Sequence, residues 1–228
     1  MPLIFDPPSP PTLPVEGLGD LPVGRIFCVG RNYAAHAAEM GNEVDRDAPF
    51  YFTKSPSSVL RTGRTLPYPP GTQDLHHEVE LVVAIGAPVF KGLGGKDAVL
   101  AYGVGLDMTR RDLQAAAKEG RKPWDLGKDF EGSAVLAPMV PASEVVGIGG
   151  QMITLSVNGQ ERQSALLSDM VWSVSDIVDH LSQFYRLRPG DLIMTGTPAG
   201  VGAVIPGDRL EGRIEGLPPV TVEIGAPE

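Results

Sequence analysis

Glu78 and Glu80 open the apolar run Leu81-Val82-Val83-Ala84-Ile85, and this junction constrains the fold more than any other stretch of the chain. Read as a strand, the segment alternates its side chains with period two. Glu78 and Glu80 then share a face with Val82 and Ala84, while Val79 and Leu81 point the other way. Both faces turn apolar just past the acids, as in a strand covered on both sides, and acids carried into such a strand need a partner. A third carboxylate, Asp107, ends the next apolar segment, Ala101 to Asp107, and joins the pair if the two strands are neighbours. Three acids in one pocket cannot all ionise without a cation, and an all-oxygen set suits Mg2+ or Mn2+ better than zinc. The plainer alternative is the solvated face of an edge strand. His76 and His77 adjoin the acids, but the spacing is not His-Glu-x-x-His and no second His or Cys cluster accompanies them.

With 42% hydrophobic residues, 28 glycines and 22 prolines, the chain has material for one core and many turns between short strands. The expectation is a β-rich α+β fold: one catalytic domain over residues 23–228, preceded by a Pro-rich extended arm over 1–22 that packs on the body or on a second subunit. The single cysteine, Cys28, sits within Ile26-Phe-Cys-Val29, so no internal disulfide forms, and a reducing cytoplasm fits. No leader or membrane-span pattern stands out, which predicts a soluble protein. A formal charge of -9 argues against nucleic acid and anionic membranes as partners. An anionic ligand therefore requires locally concentrated positive charge, for which Lys128, the Arg110-Arg111 pair and the metal are the candidates.

Gly30-Arg31-Asn32-Tyr33-Ala-Ala-His36-Ala-Ala-Glu39-Met40-Gly41 predicts a short helix capped by Asn32 and ended by Gly41. His36 and Glu39 fall one turn apart on it, as a surface ion pair or as a base oriented by a carboxylate on a lid with little apolar surface to bury. Thr109 is placed to cap a helix through Lys118, with Arg110, Arg111 and Gln114 in its opening turns, and Lys128 falls in a loop. Val157-Asn158-Gly159-Gln160 signals a hairpin. Ser175 to Arg186 reads as an amphipathic helix on which His180 is structural. The Asp191-to-Met194 strand feeds Thr195-Gly-Thr197-Pro-Ala-Gly200-Val-Gly202, whose backbone N–H groups are free to approach an anion, without the lysine or glycine spacing of a nucleotide loop.

Together, Gly30-Arg-Asn-Tyr-x-x-His36-x-x-Glu39, Glu78-x-Glu80, Leu106-Asp107-Met-Thr-x-Arg111-Asp-x-Gln114, Gly127-Lys128 and Thr195-Gly-Thr197-Pro-x-Gly200-Val resemble the fumarylacetoacetate hydrolase superfamily over roughly residues 22 to 225. The resemblance implies that family's β-rich mixed sandwich or roll, a homodimer, and one Mg2+ or Mn2+ held by Glu78, Glu80 and Asp107. It implies a catalytic dyad of His36 and Glu39 on a substrate-ordered lid, with Lys128 stabilising an oxyanion and Arg111, Gln114 and Thr197 lining the substrate site. Arg31 is a further candidate, for a distal carboxylate. The implied reaction is hydrolysis of a 2,4-dioxo acid, an acylpyruvate with fumarylpyruvate foremost, to pyruvate and a carboxylic acid in aromatic-compound catabolism. Two alternatives stand: decarboxylation of oxaloacetate or isomerisation on the same metal site, and a non-catalytic metal- or anion-binding module.

Overall fold

The computed structural model describes residues 3–6, 8–41, 44, 46–92 and 95–227, excepting the side chain of Lys96. Its centre is the acidic strand predicted from the sequence, Val79–Ile85, in which every residue is buried. This strand pairs antiparallel with Val99–Asp107, setting Val79 opposite Leu106 and Glu80 opposite Gly105. Asp107 therefore lies at the same end of the sheet as the two glutamates. On the other side, Val79–Ile85 pairs with Leu192–Met194, which is parallel to Ile26–Gly30. Phe50–Lys54 extends that edge, and Ala134–Leu136 with Val59–Arg61 extends the other.

The alternation read from the sequence separates two cores. Val79, Leu81, Val83 and Ile85 face a large cluster with Ile153, Leu155, Leu210, Ile214, Val220 and Val222. Those residues come from a second sheet of Gln160–Leu166, Met152–Val157, Arg209–Ile214, Val220–Pro227 and Arg64–Tyr68, so two sheets sandwich the cluster. Val82 and Ala84 turn to a smaller cluster with Ile26, Cys28, Leu136 and Met194. Cys28 is a buried free thiol. The architecture is the expected β-rich α+β fold with few short helices.

The N-terminal segment carries strands of its own and packs on the body. Thr12–Val15 and Gly19–Pro22 form an antiparallel hairpin. Leu13 and Val15 are buried in the smaller cluster, a gain of about 1.5–3 kcal/mol for each such side chain. The alternation of Thr-Leu-Pro-Val permits this despite the prolines. Pro67 lies in Arg64–Tyr68, an edge strand where its missing N–H is tolerated.

The hairpin at Asn158-Gly159 forms as expected, both residues having positive φ, 52° and 77°. The amphipathic helix spans Val174–Phe184 and starts with a Ser173–Asp176 capping box. His180 on it contacts the Tyr51 hydroxyl at 3.2 Å, a structural role.

Candidate metal centre and active site

The carboxylates of Glu78, Glu80 and Asp107 converge, with one oxygen from each lying within 4.8 Å of the others, and all three residues are buried. Compensation comes from three buried cations. Lys128 Nζ donates to Glu78 Oε2 at 2.7 Å, to Asp107 Oδ2 at 2.6 Å and to Thr109 Oγ1 at 2.8 Å. Arg111 pairs with Glu78 and donates to Gln114 Oε1 at 2.6 Å. Lys54 Nζ lies 2.8 Å from Asp107 Oδ1 and also donates to the Lys128 carbonyl.

Among the described residues, no cation pairs with Glu80 in this way. Glu80 accepts from the Gly196 N–H at 2.8 Å. Burial, then Asp107 and Glu78, push its carboxyl well above the usual range. Burial acts the same way on Glu78, but Lys128 and Arg111 outweigh it and hold that carboxyl well below the usual range. Burial would lower Lys128, yet Asp107 and Glu78 raise it above an ordinary lysine. A buried, all-oxygen cluster with one acid left uncompensated fits a single hard divalent cation, which neutralises Glu80 and accepts oxygen ligands. The solvated edge-strand reading fails because the strand is central and its acids are buried. The two histidines beside them are engaged elsewhere: His77 Nδ1 with Gln163 Oε1 at 3.0 Å, His76 Nε2 with Asp74 Oδ1 at 2.9 Å.

Above the acids lies helix α1, Ala34–Glu39, ended by Gly41 at φ 68°. Tyr33, not Asn32, precedes its first residue, and no side chain caps it. The Asn32 amide instead ties two distant loops, donating to Trp172 O at 3.0 Å and Thr195 O at 2.8 Å and accepting from Trp172 N at 2.8 Å. His36 Nδ1 is 3.4 Å from Glu39 Oε2. Glu39 is fixed from the far side by the Gly200 N–H, 3.1 Å from both of its oxygens. Gly200 has φ 95°, and a Cβ there would stand 2.0 Å from Arg162 O, so only glycine brings this N–H to Glu39. The anions that the Thr195–Gly202 loop takes here are thus the protein's own, Glu80 and Glu39. Burial lowers the His36 imidazole below its ordinary value, against the opposing pull of Glu78 and Glu39.

Helix α2, Arg111–Glu119, begins after Arg110. Thr109 does not cap it, because its hydroxyl donates to Asp107 O at 3.1 Å while accepting from Lys128. Arg111 and Gln114 point into the site one turn apart. Arg110 lies outside it, its guanidinium 4.3 Å from the Phe130 ring centroid. Lys128 ends a short helix, Asp125–Lys128, where a loop was expected.

One narrow cavity collects His36, Glu78, Glu80, Asp107, Arg111, Gln114, Lys128, Thr197 and, at its mouth, Arg31. Of the site residues that the family resemblance implies, all line it except Glu39, which reaches it through His36; Arg110, the other cation considered from the sequence, does not. Sequence reasoning missed two buried supports, Lys54 and Gln163. The Gln163 amide accepts from His77 and from Val79 N at 3.2 Å, and donates to Thr197 Oγ1 and Pro198 O, both at 2.8 Å. It thereby fixes Thr197 relative to the acidic strand.

Fold and site together define a metal-dependent enzyme, with a buried carboxylate triad that suits a divalent cation and a His–Glu pair beside it. Residues 25–224 match the family model for the fumarylacetoacetate (FAA) hydrolase C-terminal domain, and the chain belongs to that family. A fumarylpyruvate hydrolase of Ralstonia is 47% identical over 83% of this chain and 100% of its own. A crystal structure of fumarylpyruvate hydrolase from Pseudomonas aeruginosa in complex with Mn2+ and pyruvate superposes with a TM-score of 0.94 at 44% identity, covering 99% of this chain and 100% of that one. An oxaloacetate tautomerase of Escherichia coli is 38% identical over 86% of this chain and 91% of its own. These similarities and the acidic triad mark an enzyme of hydrolase type. Among the described residues, no helix is long and apolar enough to cross a membrane.

Proposed function

We propose that this protein hydrolyses the C–C bond of a 2,4-dioxo acid, fumarylpyruvate foremost, to pyruvate and a carboxylic acid. The observation that carries the reading is the junction in one cavity of a buried acidic triad with a histidine oriented by a carboxylate, since mere binding of an ion needs no oriented base. The similarity to fumarylpyruvate hydrolases supports the choice of acyl group. Residues 23–228 form the catalytic domain, 1–22 are an appendage to it, and the working form is a cytoplasmic homodimer.

Glu78, Glu80 and Asp107 hold the divalent ion, Mg2+ or Mn2+. When bound, it supplies Lewis-acid stabilisation of charge at the 2-oxo acid end of the substrate. Arg111, Gln114 and Thr197 orient that end. His36, neutral because burial lowers it, takes a proton from water while Glu39 holds its ring. The water oxygen adds to the C4 carbonyl, and the Lys128 ammonium stabilises the oxyanion. Collapse breaks C3–C4, the bonding pair leaves as the enolate of pyruvate, and the proton on His36 is delivered to C3.

The test is product formation from fumarylpyruvate, acetylpyruvate and oxaloacetate with Mg2+, with Mn2+ and with chelator. Metal-dependent fumarate plus pyruvate, much faster than any reaction of oxaloacetate, is the expected result. The 38% identity to a tautomerase supplies the competing reading, enol–keto chemistry on the same acids. Fast tautomerisation or CO2 release from oxaloacetate with no fumarate formed would establish that reading instead.

A further inference from the structure

The narrow cavity opens into a larger one of about 790 Å3, within the size range of small-molecule sites. The two share Gly30, Arg31, Phe52, Lys118, Trp124 and Lys128 as lining, so the outer chamber continues the inner one. Its charge runs against that of the chain. A protein with net charge -9 lines this chamber with Arg31, Lys118, Arg121, Lys122 and Lys128, against one acid, Asp125. Lys128 is committed to Glu78 and Asp107, whereas Arg121 and Lys122 are exposed at the rim.

Lys118 differs from these. It is half-buried at the junction of the two chambers, with its ammonium 4.9 Å from the Trp124 ring centroid and no carboxylate partner among the described residues. Helix α2 sets its place: Arg111, Gln114 and Lys118 follow at one- and two-turn spacing on one face. Seven residues at 1.5 Å put Lys118 about 10 Å along the axis from Arg111, which touches the metal end. An extended carbon chain advances about 1.2 Å per bond. A seven-carbon diacid, measured to its outer oxygens, therefore spans a comparable distance. Burial, then Arg111, with Arg31 and Lys128 adding to it against Glu78, lowers Lys118 to about 8. That describes a cation in surplus positive charge, which an incoming anion relieves.

We propose that Lys118 is a specificity-determining residue, binding a carboxylate at the far end of the acyl group with Arg31 beside it. The substrate class is then a 2,4-dioxo acid ending in a second carboxylate, bound more tightly than one with a neutral acyl group. This rests on the hydrolase reading above and adds to it the residue that selects the acyl group.

The test compares wild type, Lys118→Met and Lys118→Arg with Mn2+ at pH 7, each on fumarylpyruvate and on acetylpyruvate, alongside fumarate binding by calorimetry. For Lys118→Met the expected result is an increase of about 10- to 100-fold in KM for fumarylpyruvate with little change in kcat, a similar weakening of fumarate binding, and less than about a 3-fold effect on acetylpyruvate. Lys118→Arg retains most of the preference. A loss equal on both substrates would show a structural role and overturn the proposal, as would an unchanged KM for fumarylpyruvate and unchanged fumarate affinity. Wild type inactive on both substrates would overturn the hydrolase reading itself and this inference with it, so the two failures differ in the wild-type control.

Discussion

Replacing Lys128 with methionine separates the two loads its ammonium carries. The side chain is 2% exposed and bridges Glu78 and Asp107 at 2.7 and 2.6 Å. Methionine keeps most of the stem, so the cost is that of two acids losing a cation rather than of a cavity. Removing one partner from a buried ion pair costs about 3–5 kcal/mol. Arg111 remains on Glu78 and Lys54 on Asp107, which points to the lower end, about 3 kcal/mol. At about 2–4 °C per kcal/mol for a chain of this length, melting in chelator falls by about 6–12 °C. Bound Mn2+ supplies the missing charge. In the wild type the ion shares its acids with an ammonium, whereas in the variant it does not, so the variant binds Mn2+ more tightly and gains more from it at equal concentration. Melting curves with EDTA and with Mn2+, plus a direct Mn2+ titration, provide the assay. The gap between wild type and variant should narrow by half or more in Mn2+ while turnover remains lost. An equal gap in both conditions, or weaker Mn2+ binding in the variant, would refute the view that the ammonium and the ion compete for the same acids.

His36→Ala should lower kcat by about 10²- to 10⁴-fold and leave Mn2+ affinity within about 3-fold, measured by steady-state kinetics and titration, whereas loss of metal would make His36 a ligand. Glu80→Ala should weaken Mn2+ binding by about 100-fold or more and lower activity with it; an unchanged metal dependence would remove Glu80 from the ligand set. Gly200→Ala, forced against Arg162 O, should pull the N–H from Glu39 and cost about 100-fold in kcat, with melting and Mn2+ binding measured to separate this from global damage. Lys118 is protonated below its value of about 8 and neutral above it, so KM for fumarylpyruvate should hold level up to about pH 8 and rise beyond, with no such rise for acetylpyruvate. The groups acting on Lys118 are Arg111, Arg31 and Lys128, which lower it, and Glu78, which raises it.

The sites legible in the sequence were those built from local periodicity. Period two placed Glu78 and Glu80 together and separated the two cores, and the junction with Asp107 needed only that consecutive apolar segments pair. Helical spacing likewise joined His36 to Glu39 and Arg111 to Gln114. Supports fixed by long-range contacts were not legible. Asn32 resembles a helix cap until Trp172 and Thr195, 140 and 163 residues away, are seen to claim its amide. Gln163 lies on a strand mostly exposed to solvent, and nothing around it in sequence marks it as the residue joining His77 to Thr197. Lys54 did leave a signal: alternation puts it on the face of Phe50 and Phe52, and a lysine continuing an aromatic face into the body needs a buried acid.

The charges of the site suggest why the cluster carries as many buried cations as acids. Glu78, Glu80 and Asp107 against Lys54, Arg111 and Lys128 sum to zero when all are ionised. Adding a divalent ion leaves two positive charges, and the carboxylate of a 2-oxo acid cancels one. The last is met only when a further negative charge develops, as oxyanion and then as enolate. The proton released as that charge forms goes to His36, so the total is unchanged while negative charge gathers beside the surplus positive charge of the cluster, the differential interaction that accelerates a reaction. Lys118 stands outside this count. A distal carboxylate carries the same charge before and during reaction, so a residue that reads it contributes equally to both states, and its removal should appear in KM rather than kcat. Were Lys118→Met to lower kcat for acetylpyruvate, which has no distal charge, the ammonium would have to belong to the reacting cluster, and the separation between a neutralising inner site and a selecting outer one would fall.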